Sequence, residues 1–326
     1  MIIENSKTYN VNEVENLFFR PSFCGRSAEE LGIRILYNMP LPTKVPTFGH
    51  NHNILTGFSS GWQGGTAANL RETEIAMSKL KAENAYSAES YFNSVYELLT
   101  NSADINLGDL SGTDLEKAET ELFRRAIVES IYATMWFGDK DGEVSDLTSF
   151  TGFIRKIIDI VEVEDPNADV IIENELQELT AQQIIHDAWM QANEDLKGIA
   201  SDGNLVFFVS SDIYDAYHFY LEEKGLACGV VDGTNSRPAL TYHGVPVVEI
   251  SSSKYSPNRA RSFCILTDRR NLVLALNTAD SPEKEIKMWY NPDEMENRQR
   301  VVFLAGTTIA DANLISARIF DAGVLL

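Results

Sequence analysis

Apolar residues between Thr113 and Gly138 recur three and four positions apart: Leu115, Ala118, Leu122, Ala126, Ile127, Ile131 and Met135. That spacing predicts one amphipathic helix with a single apolar stripe. Thr113 and Glu116 stand at capping-box spacing at its start, and Gly138 closes it where a left-handed residue is expected. No Gly or Pro interrupts the run. At about 1.5 Å per residue the helix spans roughly 36 Å. A helix of that length needs other elements laid across it, and the polar turn DKDGEVSD follows at once.

Around it the pattern changes character. Residues 1 to about 32 are weakly periodic, with Phe18, Phe19 and Phe23, and read as an arm that orders against something else. IRILYNMPLPTKVPTF, from Ile33, holds Pro40, Pro42 and Pro46, which disfavour helix and predict extended chain at an edge. Four glycines, Gly57, Gly61, Gly64 and Gly65, then mark a hinge around Trp62. From Asn69 to Glu83 a strand would put Ile75 and Met77 on a face with Arg71 and Lys79, and Leu70 and Leu80 beside Glu72 and Glu74. Neither face is a core wall, so the segment is expected to project and to be covered by a neighbouring subunit. Its removal (Gly64 to Glu83) is expected to leave a folded subunit that does not assemble.

Downstream, Thr180 to Gly198 predicts a second helix with Ile185, Ala188, Trp189, Ala192 and Leu196 along one side, and Asp212 to Lys224 a third that ends at Gly225. LVFFV, Leu205 to Val209, reads as a strand covered on both faces. HGVPVVEI, RSFCILTD, NLVLAL, EIKMWY and RQRVVFLAG complete a strand-rich second half. No alternating β-α-β-α rhythm and no repeat is present, so the fold class is α+β.

Composition narrows the function. The chain of 326 residues carries a net charge of −21, which argues against a nucleic-acid grip, since phosphate binding needs a Lys/Arg-rich face. Between Asp139 and Ala200 there are 15 acidic residues against 4 basic, a net of −11 and about half of the chain's excess. Cys24, Cys228 and Cys264 are widely spaced and odd in number, as expected of reduced, buried thiols. The first residues lack the basic flank and apolar run of a signal peptide, and no window approaches a membrane span, so no membrane partner is expected.

Candidate chemistry is thin. Gly61-Trp-Gln-Gly64-Gly65-Thr66 lacks the Lys-Ser/Thr of a phosphate loop, and Asp139-Lys140-Asp141-Gly142-Glu143 has its glycine at the fourth rather than the sixth position of a calcium loop. His50 and His52 offer two imidazoles without a nearby carboxylate or cysteine cluster. His186, His218 and His243 read as ordinary helix and turn residues. No catalytic, cofactor or metal residues are assigned. No cofactor is expected.

The order of these features resembles the tailed-bacteriophage major capsid protein family, whose fold is shared with encapsulin shells. The resemblance runs from the Pro-rich arm and Gly/Trp hinge through MSKLKAENAYSAESYFNSVYELLTNSADINL to the long helix. It continues in a Gly-Asp-Gly turn matched by Gly138-Asp139, Gly142 and Gly152-Phe153-Ile154. NLVFFVSSDIYDAYHFYLEEKG, YHGVPVVEISS and the closing strands follow in the same order. It departs in having no long charged helical segment ahead of the arm, so a fused N-terminal scaffolding domain is expected to be absent or already removed. No residues for covalent cross-linking of subunits can be matched.

The resemblance implies a capsid fold with a long spine helix, built from an N-terminal arm (1–55), an extended loop (56–84) and a peripheral domain with the spine helix (85–150). An axial domain (151–285) and return strands of the peripheral domain (286–326) complete it. Trp62, Leu70, Ile75, Met77 and Leu80 are the implied subunit-interface residues. The implied function is non-enzymatic: self-assembly as pentamers and hexamers into the icosahedral shell of a virion, assembled in the host cytoplasm. Implied partners are sister copies, scaffolding, portal and decoration proteins, and packaged dsDNA held without sequence-specific binding. An encapsulin-like compartment is the alternative, and a metal-dependent hydrolase using His50, His52 and the acidic run is a remote one.

Overall fold

The computed structural model describes residues 27–40, 43–49, 58, 60–61, 69–87, 109–112, 114–142, 147–162, 169–173, 180–225, 240–251 and 262–320. The long helix forms as the apolar spacing predicts, as α1 (Asp114–Phe137), and α2 (Phe153–Glu162) is the next helix. Thr113 lies outside the described residues; the Glu116 carboxylate accepts a hydrogen bond from the Gly112 N–H at 2.6 Å. The buried face is shifted from the expected stripe. Phe123, Ile127 and Met135 are buried, whereas Leu122 and Ala126 are exposed. Towards its end the helix is wrapped on all sides, with Tyr132 through Trp136 buried.

Gly138 does not adopt the left-handed conformation expected of it. Its missing side chain serves a close approach instead. A Cβ there would lie 2.5 Å from the Thr134 carbonyl oxygen and closer still to that of Phe150. Gly152 meets the same turn from the other side, its N–H donating to the Gly138 carbonyl at 2.8 Å. A Cβ on Gly152 would lie 2.6 Å from the Thr134 oxygen. Two bare backbones in contact thus dock the start of α2 against the end of α1.

Two sheets flank these helices. The first has the order β1 (Arg34–Leu36), β10 (Leu272–Leu276), β12 (Glu296–Ile309), β11 (Lys287–Asn291), with β4 (Ser78–Ser87) along the other side of β12. The second has the order β5 (Asp169–Glu173), β13 (Ile315–Phe320), β9 (Ser262–Asp268), β6 (Leu205–Ser210), β8 (Val245–Ile250), β7 (Leu240–Tyr242). A hairpin pairs β2 (Thr43–Gly49) with β3 (Asn69–Ile75). β6, β9 and β13 are buried along their whole length, as strands covered on both faces must be.

The expected single strand from Asn69 to Glu83 is therefore two strands, broken at Ala76-Met77. The break resets the side-chain parity, so Ile75 turns inward in β3 while β4 starts a new alternation. β4 pairs with β12 over ten residues, Ser78 to Ser87. It belongs to its own subunit's sheet, so removing Gly64 to Glu83 is now expected to damage the fold as well as assembly. The predicted helix from Thr180 is also interrupted. Thr180 and Gln183 form a capping box for α3 (Ala181–Gln191), but Asn193 caps a separate short helix, α4 (Glu194–Gly198). α5 (Ser211–Glu223) ends ahead of Gly225, whose φ is +66°.

Alternate residues of the central strands feed two cores. Val206, Phe208, Phe263 and Ile265 join Trp136, Phe153 and Ile157 and the inward face of the first sheet, including Leu274, Val301 and Phe303. Phe207, Val209, Cys264 and Leu266 face α3 and α5. Two neighbouring crossovers, β9 to β10 and β12 to β13, connect the sheets, and Asn271 staples them. Its side-chain N–H donates to the carbonyls of Asp311 (2.9 Å) and Leu314 (3.2 Å), while its side-chain oxygen accepts from the Asp311 N–H (2.8 Å). Trp136, fully buried, packs edge-on to Phe153 and Phe208 and stacks on Phe263, with no acceptor for its indole N–H among the described residues. Trp136→Phe is accordingly expected to cost less than about 1.5 kcal/mol in urea unfolding, because the lost ring area is offset by removing an unsatisfied donor.

Candidate subunit interface

The five residues expected at a subunit interface do not converge. Trp62 lies outside the described residues, as does the side chain of Leu70 in β3. Ile75, 2% exposed, packs with Val45, Val273 and Ala275 of its own chain, and Met77 is half-buried against that cluster. Leu80 sits apart, half-buried on the α1 side of β4. It borders a groove of about 420 Å³ between α1 and the sheet, whose walls include Ala82, Phe123, Ile127, Ile131 and Phe303.

A second cleft, of about 520 Å³, lies between β3, α2 and the β12–β13 connection. Its walls carry Glu72, Glu74, Asp159 and Asp311 against Lys156. Glu72 is paired with Lys44 at 3.0 Å and Asp159 with Arg155 at 3.0 Å, so much of this charge is already engaged. Among the described residues no three His, Cys, Asp or Glu side chains stand together to hold a metal ion. His50 and His52 and most of the acidic run from Glu162 to Glu178 lie outside the described residues. Within that run, Asp169–Glu173 form strand β5.

The described histidines are engaged in packing. His186 Nδ1 lies 2.7 Å from the Tyr242 hydroxyl, His218 Nδ1 is 3.4 Å from the Glu222 carboxylate, and the His243 ring stacks on Trp189. His243 and Gly244, with φ of +49° and +81°, form the turn between β7 and β8. Cys264 is a free thiol, and burial pushes its pKa up to about 12, with the Arg318 charge pulling weakly the other way. A chain carrying Cys24→Ser and Cys228→Ser is therefore expected to resist iodoacetamide at pH 8 until denatured. Labelling of the native variant would contradict this burial. Asp268 is pushed up by burial but held below the usual carboxylate range by the Arg270 side chain and N–H.

The exposed large apolar residues were not signalled by periodicity. Phe219 (61% exposed) lies on the outer side of α5, Met295 (63%) at the β11–β12 turn, and Trp289 and Val302 on the first sheet. Trp289 and Val302 sit in EIKMWY and RQRVVFLAG, runs that read as strands without showing which face is covered. Only the pairing partner decides which parity faces outward.

Comparison with known proteins separates fold from sequence. No family model matches the chain. Among curated proteins, nucleoside diphosphate kinase A 1 of Bos taurus is 28% identical over 99 residues, 27% of this chain. The match spans 64% of that protein's length, and nucleoside diphosphate kinase A 2 of Bos taurus matches to the same extent. Solved structures match nearly end to end. The capsid of an empty GTA particle superposes with a TM-score of 0.57 at 12% identity, over 94% of this chain and 100% of that one. A chain of Gordonia phage Cozz gives 0.54 at 11% identity, over 99% of both. A satellite phage P4 procapsid chain gives 0.54 at 12%, over 89% and 94%. The chain has a phage-capsid-like fold. At these identities the likeness is one of fold alone.

Proposed function

We propose that this chain is a major capsid protein, a structural subunit that associates as pentamers and hexamers into the icosahedral shell around the dsDNA genome of a tailed phage. The observation that supports this reading is the superposition on the capsid chain of an empty GTA particle over 94% of the length, where the kinase likeness spans 27%. In this reading α1 is the spine helix of a peripheral domain, and the sheet from β5 to β7 belongs to an axial domain. Residues 56–84, β3 among them, form the extended loop, paired with β2 of the arm, and Met77, Leu80 and the groove beside α1 meet sister copies. Scaffolding, portal and decoration proteins are the further partners it implies.

Phosphoryl transfer would need a nucleophile and phosphate-binding donors converging in one cleft. The two described clefts offer apolar walls in one case and an excess of carboxylates in the other. The net charge of −21 suits a shell that holds DNA without adhering to it. Light scattering of the purified chain tests the proposal. Species of five or six copies, or larger, are expected; a monomer at every concentration and salt would sink it. Particles filled with a protein cargo and lacking DNA would favour an encapsulin-like compartment instead.

A further inference from the structure

The sheet of β11, β12 and β4 has two faces of opposite character. Asn297, Gln299, Val301, Phe303 and Ala305 of β12 are buried on the α1 side. On the other face the strand register sets Trp289 opposite Arg298, Lys287 opposite Arg300, Arg300 opposite Glu83, and Val302 opposite Lys81. Lys79, Lys81, Lys287, Arg298 and Arg300 stand there against Glu83 and Glu296, a local excess of +3. Glu294 of the hairpin tip also reaches Arg298, and the excess is still +2. The chain as a whole is at −21. A basic face on so acidic a protein is out of keeping with the rest of its charge. The Arg300 guanidinium lies over the Trp289 ring, 5.4 Å from its centroid.

Part of the same face already has a cover. Val273 and Ala275 of β10, in register with Thr308 and Gly306 of β12, pack under Val45 and Ile75 of the β2–β3 hairpin. The chain leaves that hairpin across Gly306, where a Cβ would meet the Ala76 carbonyl at 2.6 Å. Beyond this crossing the face is open among the described residues, with Trp289 41% and Val302 45% exposed.

We propose that this open face docks an acidic surface of a second copy of this chain. The inference rests on the shell reading and gives it a specific contact. Duplex DNA favours a face of free cations, yet here Arg298 is held by Glu294 and Glu296, and Lys81 by Glu83. Trp and Arg side by side around exposed apolar area are the composition of a protein–protein hot spot. A sister copy at −21 supplies the opposite charge.

Sedimentation velocity of the full chain at about 50 mM and about 500 mM salt provides the test. Wild-type association is expected to weaken as salt rises. Arg298→Glu with Arg300→Glu is expected to weaken it roughly 30-fold at low salt, with circular dichroism and Tm unchanged. Lys79→Glu with Lys81→Glu, on a different strand, is expected to act alike, so misfolding of one variant does not decide the matter. Charge-reversed variants that associate as the wild type does overturn this contact and leave the shell reading standing. A wild type that remains monomeric at both salts overturns both. Binding of a DNA duplex, measured by fluorescence anisotropy and lost on the same reversals, would assign the face to nucleic acid and refute the sister copy.

Discussion

Gly138→Ala and Gly152→Ala are each expected to lower Tm by roughly 10 °C or more, or to leave the chain insoluble. The methyl group would be driven against carbonyl oxygens of Thr134 and, for Gly138, of Phe150. Overpacking against side chains costs about 1–3 kcal/mol because they can shift. Here the opposing atoms are backbone, fixed by the end of α1 and by the Gly152 N–H to Gly138 carbonyl bond. The cost is therefore of the order of 4–5 kcal/mol. Gly198→Ala makes the control, since nothing lies within 4 Å of its added Cβ. It ends a helix, and alanine there is expected to be neutral or stabilising by up to about 1 kcal/mol. Thermal unfolding of the three variants checks the account; equal, small effects would show that α1 and α2 do not meet through these glycines.

Asp169→Ala is the second large effect. Arg318, 4% exposed, holds the edge strand β5 onto β13 and the end of α3. Its guanidinium donates to the Asp169 carboxylate at 3.0 Å and to the carbonyls of Ala317 and Asp187 at 2.8 and 3.4 Å. Ser316 donates to the same carboxylate at 2.6 Å. Removing Asp169 strands a buried cation, which costs about 3–5 kcal/mol. Arg318→Met added to Asp169→Ala removes the stranded charge and is expected to recover a large part of that loss. Urea unfolding reads the difference. A double variant less stable than Asp169→Ala alone would show that the guanidinium stabilises through its packing and carbonyl contacts rather than through its counter-ion.

These two sites also show what the residues disclose in advance and what they do not. The long helix is legible because its apolar spacing runs unbroken by Gly or Pro from Leu115 to Met135. Gly138 and Gly152 are visible as positions where glycine stands, but their reason, two backbones in contact, exists only once α2 docks. β13 escapes the reading because Ser316 and Arg318 interrupt its apolar pattern, and both are buried only through partners on β5 and α3. The break at Ala76-Met77 is likewise unsignalled by Gly or Pro. It is Gly306, some 230 residues on, that leaves room for it. Which strand positions stay exposed is the least legible part, since a strand's exposed parity depends on which neighbour it takes. Thus Ile75 is covered by its own chain, while Trp289 and Val302 stay partly exposed among the described residues.

The shell reading stands or falls on particles. Electron microscopy of the purified full chain, concentrated at low salt with and without a co-expressed scaffold, is the most direct measurement. Closed shells, or rings of five and six subunits, are the predicted result, with a map into which α1 and the two sheets fit. A field of dispersed single subunits under all those conditions would contradict it.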